Sequence, residues 1–210
     1  MICEYTVGEN QHKSYSFLID ETSALHDMHI RFYLERNAML VAEILIASVD
    51  AQVIIDCVLR GEGADARIMG AYILDAAHKV TIATTQHHSA AHTRSALIMK
   101  GILRDKAYAD YHGNVRIEKE ARGTHASQEN KNILLSNSAR AVSVPSLEVL
   151  THEVHCFHGS AIGRFDDEQL FYAAARGIDE KTAQQLLLKA FCANIFTDEM
   201  LKERLDALLG

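Results

Sequence analysis

The chain has 210 residues, 48% of them hydrophobic, with 21 Lys and Arg against 28 Asp and Glu and a formal net charge of −7. That much apolar material folds as one domain, or as one domain with an appendage, and argues against a disordered chain. Basic residues are scattered singly, which argues against nucleic acid as a partner, and no run approaches the roughly 18 apolar residues of a membrane span. The opening MICEYTVGENQHKS lacks the charged start and apolar run of a leader, so the expected location is the cytoplasm.

Residues 1–28 carry no clear pattern and are set aside as an N-terminal segment of uncertain fold. From residue 29 to 164 short apolar runs follow one another between small or polar pairs: IRFYL, MLVAEILIASV, AQVIIDCVL, ARIMGAYIL, KVTIATT, SALIMKGIL, NVRIEKEA, NILLS and VPSLEVL. These read as strands. An Ala or Val beside a polar residue recurs at Ala66, Ala77, Ala91, Ala107, Ala121, Ala139 and Val154, at spacings of 11 to 18 residues. A repeat of about 15 residues without helix-length segments suggests half-coils of a β-solenoid, in which each coil buries its apolar face only when a neighbour stacks on it. An antiparallel sandwich also spaces its strands regularly, but it announces hairpins with Asn-Gly, Asp-Gly or Pro turns. Here there is one proline, and the one tight-turn candidate is His112-Gly113-Asn114. An α/β fold needs helices between the strands, which the pattern does not supply. The solenoid is the favoured reading.

After Arg164 the pattern turns helical, giving a C-terminal domain over residues 165–210. Asp166 is placed to cap a first helix that carries Leu170 and Phe171 and stops at Gly177. A second helix starts at Asp179, and Ala183, Leu186, Leu187, Ala190, Phe191 and Ile195 fit one buried stripe. Thr197, Asp198 and Glu199 open a third helix through Leu205. These helices either pack over the open end or side of the solenoid or form a docking platform.

Cys3, Cys57, Cys156 and Cys192 are far apart and form no CxxC, so neither a zinc ribbon nor a disulfide framework is indicated. They are expected as reduced thiols, with Cys57 and Cys192 in the core and Cys3 near a mobile terminus. Among 12 histidines, the group His87, His88 and His92 is either a metal site or a polar solenoid edge. Gly61-Glu62-Gly63 lacks the Gly-Lys-Ser/Thr that completes a phosphate-binding loop, so the chain is expected to bind no nucleotide.

Several words of the chain match a known family in order and spacing. Gly101-Ile102-Leu103-Arg104-Asp105 with Gly113-Asn114-Val115-Arg116-Ile117 resembles one of its coils, His87-His88 with His92-Thr93-Arg94-Ser95 its histidine stretch, and Gln128 to Ser136 its Q-x-N-x-N-L-L-L-S segment. Pro145-Ser146-Leu147-Glu148-Val149, then Glu153 to Gly163, then Leu170-Phe171-Tyr172 and Arg176-Gly177-Ile178 complete the resemblance. The chain is similar to the SufB/SufD family of iron-sulfur cluster assembly scaffolds, firmly from about residue 87 to 196. The resemblance implies a mainly β protein, a right-handed parallel β-helix followed by a small helical domain. It also implies pairing with a SufB-like subunit or with itself, and a SufC-like ABC ATPase docked on the helical domain, where Leu170, Phe171, Tyr172, Arg176 and Gly177 match. Family members are about twice as long and carry an N-terminal helical region, which this chain is expected to lack together with several early coils.

If residues 152 to 158 form a strand, His152, Val154, Cys156 and His158 share one face at steps of about 6.5–7 Å, with His155 and Phe157 on the other. A thiolate and an imidazole so placed can converge on one metal or cluster edge, and a nearby imidazolium would lower the thiol's pKa. On its own such a pair reads as an inert thiol and a hydrogen-bonded histidine. The family match makes Cys156 and His158 the candidate ligands of a transient iron-sulfur cluster, with His152 and His155 behind them. Gly159 and Glu129 stand where the SufB branch has Glu and Cys, so the ligand content is SufD-like. Two ligands need completion by a partner. The expectation is therefore a non-enzymatic scaffold, with a metal-binding solenoid hydrolase or hydratase, or a structural subunit without a cluster role, as the alternatives.

Overall fold

The computed structural model describes residues 1–210, the side chain of Asp167 aside. Twelve strands form β1 (Ile2–Val7), β2 (His12–Ile19), β3 (Met28–Leu34), β4 (Met39–Ala47), β5 (Ala51–Leu59), β6 (Asp65–Leu74), β7 (Lys79–His88), β8 (Arg94–Leu103), β9 (Tyr108–Ile117), β10 (Thr124–Leu134), β11 (Arg140–Val149) and β12 (Val154–Gly163). Odd strands pair in parallel in one sheet, in the order β1-β3-β5-β7-β9-β11, and even strands in the other, from β2 to β12. Each coil gives one strand to each sheet, so the chain winds a parallel β-solenoid of about six turns. The first 28 residues hold β1 and β2, and Cys3 sits on β1 opposite Ile30 rather than in a mobile tail.

Strict alternation drives this winding. In β9 the inward positions Ala109, Tyr111, Gly113, Val115 and Ile117 are buried, while His112 between them is exposed. One corner of the coil is made by residues with positive φ at Asn10, Asn37, Gly63, His92 and Gly123, a conformation that Gly and Asn reach at least cost. These corners stack: the amide of each donates to the next coil, as in Asn37 N–H to the Glu62 carbonyl and His92 N–H to the Arg122 carbonyl.

Three helices follow, α1 (Asp167–Ala175), α2 (Glu180–Cys192) and α3 (Glu199–Leu209), capped at their starts by the side chains of Asp166, Asp179 and Asp198. α2 and α3 lie on the side of the solenoid, and α1 packs on α2. Leu188, Cys192, Ile195, Phe196, Leu201, Leu205 and Leu209 pack on Leu45, Ala71, Ile73 and Ile102, from the outer face of the even-stranded sheet. The buried stripe of α2 is thus Ala183, Leu188 and Cys192, and Leu186 and Ala190 are exposed. The phase differs from the sequence expectation because the covering surface comes from β4, β6 and β8, far away in sequence. Glu43 locks the arrangement. Its buried carboxylate accepts the Thr197 N–H at 2.7 Å, the Thr197 hydroxyl at 2.6 Å and the Asp198 N–H at 2.9 Å, anchoring the start of α3 to the second coil.

Candidate functional site

The last coil is uncovered. Strands β11 and β12 end their respective sheets, so each presents an unpaired edge and the lumen between them is open. β12 runs in register with β10, placing Cys156 beside Ala126 and His158 beside Gln128. Ala126 and Gln128 are buried inward residues, so Cys156 and His158 point into the lumen at its mouth. The other wall of the mouth is the inward row of β11, where Ser143, Leu147 and Val149 extend the ladder of Tyr111, Val115 and Ile117.

Cys156 is half-buried against Val115, Ile117, Ala121, Ala126 and Val154. That apolar contact sets its chemistry: burial pushes the thiol above its ordinary value, and no imidazolium lowers it. The lowered thiol expected from the C-x-H pair is therefore absent from the chain alone. His158 is exposed and has no hydrogen-bond partner among the described residues. His152 lies in the bend before β12, outside the strand that carries Cys156 and His158. His155 points outward and stacks on His125 with ring centroids 4.8 Å apart.

The three upstream histidines diverge. His87 faces outward and bonds Glu118 at 2.9 Å, His88 is buried in the lumen, and His92 occupies the positive-φ corner. Among the described residues no group of three or more His, Cys, Asp or Glu side chains could hold a metal.

The lumen beneath the site is polar, which sequence reasoning did not anticipate. His88 accepts or donates to the hydroxyls of Thr93 and Ser95, each at 2.8 Å, and Gln86 Nε2 donates to Ser95 Oγ at 2.6 Å and to the Ser127 carbonyl at 3.1 Å. Tyr72 accepts from Asn130 Nδ2 at 2.9 Å and donates to Asn132 Oδ1 at 2.5 Å. The signal was present in Gln128-Glu129-Asn130-Lys131-Asn132, whose amides recur with period two and so face one side of a strand.

On the helical domain, α1 and α2 enclose a groove of about 530 Å³ lined by Gln169, Tyr172, Ala173, Arg176, Ile178, Leu186 and Leu187. Phe171 is 77% exposed, Tyr172 61% and Leu186 52%, an apolar surface on otherwise polar helices. Leu170 is partly covered, the Arg176 guanidinium lies over the Tyr172 ring at 5.1 Å, and Gly177 ends α1 with φ of 80°.

The chain is a parallel solenoid of about six turns with helices on its side, and its last coil has open strand edges and carries Cys156 and His158 in one lumen-facing row. The family model described as SUF system FeS cluster assembly, SufBD core domain, matches residues 1–191, and the chain belongs to that family. It is 38% identical to an iron-sulfur cluster assembly SufBD family protein of Mycobacterium leprae, over 71% of this chain and 41% of that protein. Against the iron-sulfur cluster assembly protein SufD of Escherichia coli it is 29% identical, over all of this chain and 55% of that one. An iron-sulfur cluster assembly protein SufD of Plasmodium falciparum is 28% identical over 85% of this chain and 12% of its own length. The chain spans about half the length of the first relatives it matches. No helix among the described residues is long and apolar enough to cross a membrane.

Proposed function

We propose that this chain is a non-enzymatic scaffold subunit of SUF-type iron-sulfur cluster assembly, working in the cytoplasm. The observation that carries this reading is the open last coil, where two unpaired strand edges flank two soft ligands that cannot complete a metal site alone. Pairing of β11 and β12 with a SufB-like chain or a second copy adds the missing donors and places Cys156 and His158 at the seam, where the cluster is cargo to be assembled and released. The groove between α1 and α2, lined by Tyr172 and Arg176 and flanked on α1 by the exposed Phe171, docks an ABC-type ATPase that supplies the nucleotide chemistry. Anaerobic reconstitution with a SufB-like chain and the ATPase tests the seam: iron-sulfur absorbance forms with the native chain and falls in Cys156→Ser. An undiminished chromophore in that variant sinks the site assignment. A pull-down tests the groove, with ATPase capture expected to drop at least tenfold in Tyr172→Asp and equal capture overturning the docking assignment.

A further inference from the structure

Gln128 lies one coil beneath His158, as its register partner on β10. Its side chain is fully buried, yet its Oε1 has no hydrogen-bond partner among the described residues. An orphaned buried acceptor is costly, so its retention calls for a donor that arrives from elsewhere. His158 is the adjacent lumen-facing group, and its ring is also unpartnered. In-register side chains on neighbouring parallel strands stand about 4.8 Å apart, so a rotamer change of the exposed ring brings an N–H within reach.

The surroundings hold the amide in place for this. Gly113 lies across the lumen from Gln128, and a Cβ there would come within 2.5 Å of both amide heteroatoms, so the glycine leaves room that the carboxamide fills. Gln128 Nε2 points at Thr84 Oγ1 at 3.5 Å, and Thr84 is held in turn by the Tyr111 hydroxyl at 2.9 Å. With the amide nitrogen turned to Thr84, the carbonyl oxygen is left for the mouth of the lumen.

We propose that Gln128 is a positioning residue for His158: its Oε1 accepts one ring N–H, fixing the tautomer and turning the other nitrogen's lone pair toward the open seam. This rests on the reading of Cys156 and His158 as cluster ligands, but its first test does not involve a cluster. Long-range proton–nitrogen NMR of the full chain with ¹⁵N-labelled histidine, the His158 signals assigned with His158→Gln, reads the tautomer directly. One tautomer is expected to dominate in the native chain and in Gln128→Glu, which keeps an acceptor, and to give way to a mixture in Gln128→Met. Thr84→Val, which frees the amide without removing it, is expected to shift the balance part of the way. Gln86→Met, which alters the other lumen glutamine whose Oε1 is unpartnered, should leave the His158 signals unchanged. Unchanged His158 tautomers in both Gln128→Met and Thr84→Val would overturn the proposal even if Cys156→Ser abolishes the cluster. Conversely, a tautomer shift with no effect of Cys156→Ser on cluster formation would uphold the positioning contact and remove the ligand reading. Where both hold, Gln128→Met is expected to weaken cluster retention about 10–100-fold, as loss of an outer partner of a ligating histidine does.

Discussion

In the first three coils two ladders of lumen-facing residues on the even-stranded sheet run Tyr15–Ala42–Ile68 and Phe17–Ile44–Gly70. In the last three coils the same ladders continue as Leu97–Gln128–His158 and Met99–Asn130–Ser160. The opposite wall changes less, from Tyr5–Phe32–Cys57 to Gln86–Val115–Leu147, where Gln86 is the polar member. The backbone is the same throughout; the interior is not. The early half is held by apolar burial, with Phe32 ringed by Tyr5, Tyr15 and Phe17 at centroid distances of 5.5 to 6.3 Å. The late half spends part of that stability on buried hydroxyls and amides, whose net worth is small when satisfied and negative when not. Gln86 Oε1, Gln128 Oε1 and Ser143 Oγ, all buried and unpartnered, belong to the late half. Apolar packing dominates the early coils, and buried hydroxyls and amides gather toward the open mouth.

The sharpest way to break this contrast is at its apolar pole. Phe32→Ala removes a fully buried ring from the early lumen and is expected to cost about 3–5 kcal/mol in urea unfolding. A loss below 1 kcal/mol would mean that the early half is not the stabilising one.

The next effect belongs to the polar half and depends on pH. Burial first, and the neighbouring His87 second, push His88 from 6.5 down to about 3. Above pH 6.5 the ring is neutral folded or unfolded. As pH falls below 6.5 the unfolded chain takes up a proton that the folded chain refuses, so stability declines until the folded value is reached. Between pH 6.5 and 5 the native chain should lose about 2 kcal/mol more than His88→Gln, measured by denaturant titration at each pH. Equal losses would place His88 in water rather than in the lumen. Smaller again is Tyr72→Phe, which strips the hydroxyl shared by Asn130 and Asn132 and is expected to cost about 1–2 kcal/mol. A neutral result would show that the amides re-pair without it.

Much of this was legible in the sequence, and what was not has physical reasons. Apolar runs and the spacing of small residues located β3 to β11, β10 by its end alone, because burial on one face writes itself into the chain, while β12 entered only as a condition on residues 152 to 158. β1 and β2 escaped because ICEYTV and HKSYSFLI carry polar residues and lack a strong run. The caps Asp166, Asp179 and Asp198 were readable locally, whereas the stripe of α2 was not, since its phase is set by Leu45, Ala71 and Ile102. Cys156 and His158 share a lumen-facing row as their spacing suggested. The polar lumen was missed because its partners, such as Tyr72 and Asn132, meet across 60 residues. Glu43 was missed for the same reason, at a separation of 154 from Thr197.

The remaining prediction moves stability least and separates the sealed interior from the open mouth most directly. Cys57 lies in the apolar half, where burial and then the Asp56 charge push its thiol up to about 12, and Cys192 lies on the buried face of α2, raised by burial to about 11. Cys156 is raised by burial alone and remains partly exposed at the mouth. Thiolate is the reacting form, so at pH 8 a maleimide should label Cys156 in the folded chain more slowly than a free cysteine, and should label Cys57 and Cys192 only on unfolding. Because the Cys156 site opens to solvent, the adduct should leave the unfolding midpoint nearly unchanged. It should also block pairing of β11 and β12 with a second chain. Labelling of Cys57 at the rate of Cys156 would mean that the early coils open on the same timescale as the mouth, and the division of the lumen into a sealed half and an accessible half would fail.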